Sequence, residues 1–403
     1  MLRPTSHRIP PALTALLALA LAALTCGPAQ PSAAVPTAVA PTDVPPATVV
    51  EAGPTSPAPL PRPALGILIQ TPDNALALLD PATLQSAPFT EARLEIMLGP
   101  YETLGVVGDT LYALGRTEAS GEPPGVYAIN AAGLTRLDQF GETIQSIAVL
   151  PGEAGMPPII AWGEVEWTAD PPVARLLLAP VGGFDATLVA EQATPEGFYF
   201  APWRWVAGGQ RLYYSEEPSG LGGYILFGGR SSLYMYDITT NTSSTLVPMD
   251  VAGGFICLDD LSPDETLVAH HCADTGIGLL NLQTTEQRVI QPPIEAQGWA
   301  TAGSALFSPS GSRLAFAVAR NSPDAEQGWV AVTDDLSGPS WLVATSPEGS
   351  YFEVVAWLDE QTLVLQSWDV TTGGPAGVWL APLSGGAEPV RVADGVFVTL
   401  FAH

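Results

Sequence analysis

From Leu65 onward the apolar residues come in runs of four to eight, bounded by Gly, Pro, Asp and Asn, with no sustained helical period. Runs of that length between turn residues predict short β-strands. A longer-range repeat is superimposed on them. One Gly recurs just before an apolar strand, as Gly99, Gly141, Gly197, Gly254, Gly298, Gly349 and Gly395. The mean spacing of about 49 residues is that of propeller blades. Seven marks predict seven blades of four antiparallel strands.

Each period has the same internal order. A first strand ends in a tight turn, as in Ser262-Pro263-Asp264-Glu265 and Ser308-Pro309-Ser310-Gly311, and a second strand leaves it. Val206-Ala207-Gly208-Gly209 and Trp357-Leu358-Asp359-Glu360 are weaker copies. A third strand runs into an Asp or Asn turn at Asp80, Asp237 and Asn281, and a fourth completes the blade. Leu65–Gln70 reads as a second strand without a first, and Val396–Ala402 as a first without a second. Paired with each other, they close the ring and remove its open edges.

These phrases resemble the TolB-type, WD-repeat-like β-propeller family over nearly all of residues 65–403. The resemblance implies a fold and not an activity, since such propellers include periplasmic scaffolds and the substrate-gating propellers of serine peptidases. Neither the α/β domain that TolB carries nor a hydrolase domain is recognisable beside the repeats.

The first 64 residues read differently. Arg3 and Arg8 precede an Ala/Leu run from Ala12 to Thr25, a signal-peptide pattern too short to span a bilayer comfortably. Leu24-Thr25-Cys26-Gly27 follows it, which resembles a bacterial lipobox and makes residues 1–25 a lipoprotein-type leader, with Cys26 as the lipidation site. Ordinary secretion with cleavage near Ala29 or Ala34 is the alternative. Residues 26–64 hold 11 Pro among Ala, Thr, Val and Ser, a composition with no face to bury. Extended at about 3.1 Å per residue, they form a tether reaching roughly 120 Å.

Charge narrows the partners. The net charge is −27, with 41 acids against 14 bases, every base is Arg, and no basic run exists. Such a chain cannot neutralise phosphates, so nucleic acid is excluded and any membrane contact is expected through the lipid anchor alone. With 47% hydrophobic and 14% charged residues it is not a charged disordered chain.

Candidate chemistry is sparse. Asp274-Thr275-Gly276 matches the aspartic-protease triplet, but the sequence holds no second copy, and these are ordinary turn residues. Gly220-Leu221-Gly222-Gly223 and Gly228-Gly229 precede no helix and read as an insertion loop in the fourth blade. His270 and His271 alternate across a strand and cannot share an ion, so neither metal nor cofactor is expected. No catalytic residue is assigned.

What remains is the surface that a propeller offers. Tyr101, Phe198, Phe255, Trp299, Tyr351 and Phe397 begin innermost strands and would either ring a channel mouth or pack between blades. In Trp203-Arg204-Trp205, strand alternation predicts both indoles on one face and the guanidinium on the other, a recognition spot or a packed cation–π pair. Asp259, Asp260 and Glu353 would serve as channel carboxylates in a glycan-active propeller. Export would oxidise Cys257 and Cys272, and a hairpin centred on Asp264-Glu265 sets them directly opposite, predicting a disulfide. The expectation is a monomeric, lipid-anchored, exported propeller of the cell envelope that binds another envelope protein, with glycan binding or hydrolysis as the alternative.

Overall fold

The computed structural model describes residues 65–97, 104–117, 122–152, 155–219, 227–249, 257–272, 276–296, 301–320, 327–384 and 388–402, save the side chains of Ala207 and Cys272. The leader, Cys26 and the tether lie outside these residues, as do Gly99, Tyr101, Gly254, Phe255, Asp274, Thr275, Gly298 and Trp299.

Seven antiparallel sheets form a seven-bladed β-propeller, and the only helical elements among the described residues are two 3₁₀ turns. The innermost strands of blades 3 to 7 are Ile144–Leu150, Phe198–Val206, Cys257–Leu261, Thr301–Phe307 and Ser350–Asp359. In blade 2 two short strands, Glu95–Ile96 and Leu104–Val107, pair with the same neighbour, Thr110–Arg116. Blade 1 is made from both ends of the described chain: Val396–Ala402 lies antiparallel to Leu65–Gln70, from Leu65 opposite Ala402 to Gln70 opposite Val396. The expected closure of the ring is therefore present.

Local chemistry explains the repeat. At Gly197, Gly349 and Gly395 the backbone has φ of 78°, 76° and 103° as it enters an innermost strand, a region that side chains disfavour. In the third turn of a blade, Asp80, Asp237 and Asn281 each cap the backbone N–H two residues on, and the residue four on (Leu84, Asn241, Thr285) sits at positive φ. The hairpin phrases likewise place Glu265 and Gly311 at positive φ, each donating its N–H to the preceding Ser carbonyl. Glu265 occupies a position that favours glycine because its carboxylate has other work: it accepts the Tyr213 hydroxyl at 2.7 Å and pairs with Arg211 at 2.9 Å, tying blade 5 to blade 4.

The core is not one central mass but a series of seams between blades. Ala269, Ile277 and Leu279 of blade 5 meet Phe307, Leu314 and Phe316 of blade 6, and Ala161 and Leu176 of blade 3 meet Phe200 and Tyr214 of blade 4. Each seam removes large apolar side chains from water, at about 1.5–3 kcal/mol apiece.

One expectation is corrected here. The hairpin around Asp264-Glu265 does pair Leu261 with Val268 and Asp260 with Ala269. A bulge between Leu258 and Asp260 then shifts the register by one, so Cys257 lies opposite His271 rather than Cys272. Cys257 is a free thiol, and the predicted disulfide is not formed.

Candidate functional site

The innermost strand of blade 4, Phe198–Val206, carries the Trp203-Arg204-Trp205 phrase, and a bulge between Pro202 and Arg204 breaks its alternation. The extra residue turns the two indoles to opposite sides, so the expectation of a shared face is overturned. Trp203, 5% exposed, packs toward blade 5 with Leu258, Leu261 and Val268. Trp205 packs toward blade 3 and donates its Nε1–H to the Ala148 carbonyl at 3.3 Å.

Arg204 follows Trp203 toward blade 5. Its guanidinium carbon lies 5.2 Å from the centre of the Trp203 ring, and that of Arg230 lies 4.7 Å from the same ring. The packed cation–π reading of the phrase is thus realised for Trp203. Arg204 also donates Nη1–H to Asp260 at 3.3 Å and Nη2–H to the Leu261 carbonyl, while its buried Nε has no hydrogen-bond partner.

Asp260 is the hub of these contacts. Besides Arg204 it accepts the N–H of Leu261 at 2.8 Å and that of Phe307 at 2.9 Å, so one carboxylate joins blades 4, 5 and 6. Burial pushes its carboxyl upward, against the opposing pull of the Arg204 guanidinium.

The other two carboxylates are engaged elsewhere. Asp259 lies 3.1 Å from Nδ1 of His271. Glu353 accepts the Trp368 indole N–H at 2.7 Å, and burial raises its carboxyl to about 7 despite that bond. The three carboxylates thus have different partners among the described residues: Arg204, Leu261 and Phe307 for Asp260, His271 for Asp259 and Trp368 for Glu353. No group of three His, Cys, Asp or Glu among the described residues could hold a metal ion.

Two ends of the channel differ. At the end where innermost strands begin, Phe227 of the blade 4 insertion reaches across to blades 6 and 7: it is fully buried against Ala317, Ala319 and Tyr351, edge-on to Tyr351 with centroids 5.9 Å apart. Gly303 of blade 6 lacks the Cβ that would strike Phe227. Tyr351 therefore packs against Phe227, and Phe397 packs in the seam of blades 7 and 1. At the opposite end, between blades 2, 3 and 4, a cavity of about 540 Å³ is walled by Val149, Leu150, Trp203, Arg204, Trp205 and Val206. The Trp-Arg-Trp phrase pointed to this cavity. Phe227 and Arg230 were missed, because the only signal for them was a glycine-rich insertion.

No known protein family matches the chain, and no curated protein matches it in sequence. Among solved structures it is similar to a prolyl endopeptidase, at 11% identity and a TM-score of 0.55, over 85% of this chain and 50% of that one. It is also similar to prolyl oligopeptidase B from Galerina marginata, at 9% identity and a TM-score of 0.54, over 80% of this chain and 48% of that one. An oligogalacturonate lyase in complex with manganese matches at 14% identity and a TM-score of 0.46, over 78% of this chain and 85% of that one. The chain spans about half the length of the two peptidases.

Proposed function

We propose that this propeller is a binding module of the cell envelope, exported and held by a lipid on Cys26, whose cavity between blades 2, 3 and 4 receives an apolar segment of a partner protein. The observation that carries the reading is the cavity of about 540 Å³ walled by Trp203, Trp205, Leu150 and Val206. Its one cation is already neutralised by Asp260, so the cavity favours uncharged side chains over an anionic group. Each large apolar side chain buried there would contribute roughly 2 kcal/mol. A net charge of −27 adds long-range repulsion against acidic partners and polyanionic glycans. The TolB-like hairpin phrases support a periplasmic scaffold role.

The glycan reading is the alternative: it keeps Asp259, Asp260 and Glu353 as its candidate carboxylates, Asp259 against His271 and Glu353 against the Trp368 indole, with Trp205 as a surface on which a sugar could stack.

The test is retention of envelope proteins, and separately of glycans, on the immobilised propeller, its Trp205→Ala and Val206→Glu variants, and Arg175→Ala as a control on the outer part of blade 3. Retention of the same protein by the parent and the control, with loss from both cavity variants, supports the reading. Protein retention indifferent to the cavity overturns it, and glycan retention lost in the cavity variants favours the alternative.

A further inference from the structure

A second cluster of reactive groups lies away from the cavity. Cys257 is the first residue of the innermost strand of blade 5, at the end of the blades where innermost strands begin. The register sets His271 directly across from it, and Asp259, the bulge residue, returns to the same side to meet that ring. The imidazole lies 3.1 Å from Asp259 through Nδ1, on the residue that faces Cys257 across the strand pair. Exposure is graded: the Asp259 and His271 side chains are 2% and 7% exposed, whereas Cys257 is only part-buried.

We propose that Cys257, His271 and Asp259 form a nucleophilic thiol site that exchanges with disulfides. A carboxylate that orients an imidazole, with a thiol facing that ring from the next strand, is the arrangement by which proteins activate sulfur. Burial opposes charge on the ring, but the Asp259 carboxylate and its hydrogen bond push His271 up to about 10, so the ring is an imidazolium at neutral pH. A cation facing the attacking sulfur stabilises the negative charge that passes through the transition state. The Cys257 sulfur bonds to one sulfur of the incoming disulfide, the S–S bond breaks, and its electron pair leaves on the second sulfur. That sulfur takes up the proton that the Cys257 thiol gave up, so the products are a mixed disulfide on Cys257 and one free thiol. Access favours a slim, uncharged substrate: Gly229 is packed so close that a Cβ there would strike the Cys257 Cβ, and the protein's negative charge repels anions.

The experiment uses the full chain carrying Cys26→Ala and Cys272→Ser, so that Cys257 is its single thiol. The neutral probe 4,4′-dithiodipyridine is followed by released thiopyridone at pH 7, on folded protein and on the same protein in urea. The folded form should react at least about tenfold faster than the unfolded one, and Asp259→Asn and His271→Gln should each bring the folded rate down toward the unfolded one. Intact mass after incubation with glutathione disulfide, and separately with a disulfide-bridged peptide, shows which source of disulfide the site admits. A folded thiol no faster than the unfolded one overturns the proposal without reference to any variant. So does an unchanged rate in an Asp259→Asn variant that melts like its parent.

Discussion

The side-chain carbonyl of Gln366 in blade 7 accepts the backbone N–H of Phe397 in the closing strand at 2.9 Å. The amide end of the same side chain, 1% exposed, donates to the carbonyls of Gly377 and Gly395. One buried amide thus fastens the last strand of the ring to its neighbour. Gln366→Leu strands those backbone groups without water, at a cost of roughly 2–4 kcal/mol. Thermal unfolding should show a clear drop in Tm; a leucine variant that melts with the parent would remove Gln366 from this role.

Loss of the closing strand should be more damaging. Deletion of residues 396–403 opens blade 1 and bares the edge of Leu65–Gln70, whose Ile67 and Leu68 are fully buried in the intact ring. The truncated chain is expected to aggregate or to lose its cooperative transition by calorimetry. A truncation that unfolds like the full chain would show that the ring does not depend on closure.

Blades 3 and 4 touch backbone to backbone at one point. A Cβ on Gly163 would strike the Phe200 carbonyl oxygen, and backbone cannot rotate aside as a side chain does. Gly163→Ala is therefore expected to cost about 2 kcal/mol or more, measured by urea unfolding with an unchanged m-value.

The contribution of Glu353 to stability should fall as pH rises from about 4.5 to 7. Its carboxyl titrates at about 7 in the folded protein against an ordinary value of 4.5. Protonated Glu353 therefore favours the fold fully below pH 4.5, and this contribution of up to roughly 3 kcal/mol is lost as pH rises to about 7. Glu353→Gln retains an acceptor for the Trp368 indole and removes the titration. The variant should match the parent near pH 4 and melt above it at pH 8; a gap independent of pH would refute the assignment.

The proposed anchor has a direct test. Cys26→Ala should move the protein from the membrane pellet to the soluble fraction. An unaltered membrane fraction would favour an uncleaved signal.

The blade count, the turn phrases and the closure of the ring were legible because each is a local pattern: positive-φ glycines and Asx turns act within five residues, and strand runs repeat on a fixed period. What misled was the arithmetic of alternation. The bulges at Trp203 and Asp259 each insert one residue, and one residue is enough to reverse every face beyond it. That reversal separated the two indoles and put His271 where Cys272 was expected. Nothing local marks these bulges, because they are set by contacts between blades, such as the Arg204–Asp260 pair spanning 56 residues. The commitments of Asp259 and Glu353 were hidden for the same reason: their partners sit on adjacent strands whose register had to be known first.

The splicing of blade 1 from distant segments also sets a timetable. Leu65–Gln70 leaves the ribosome about 330 residues before the strand that completes it, which at ordinary elongation rates is roughly 15 to 70 s. Throughout that interval every nascent chain displays an unsatisfied Leu-Gly-Ile-Leu-Ile edge, a template for pairing with other nascent chains. Yield in overexpression should then be governed by how many unfinished chains crowd together, and slowing initiation should recover more native protein than cooling the finished product.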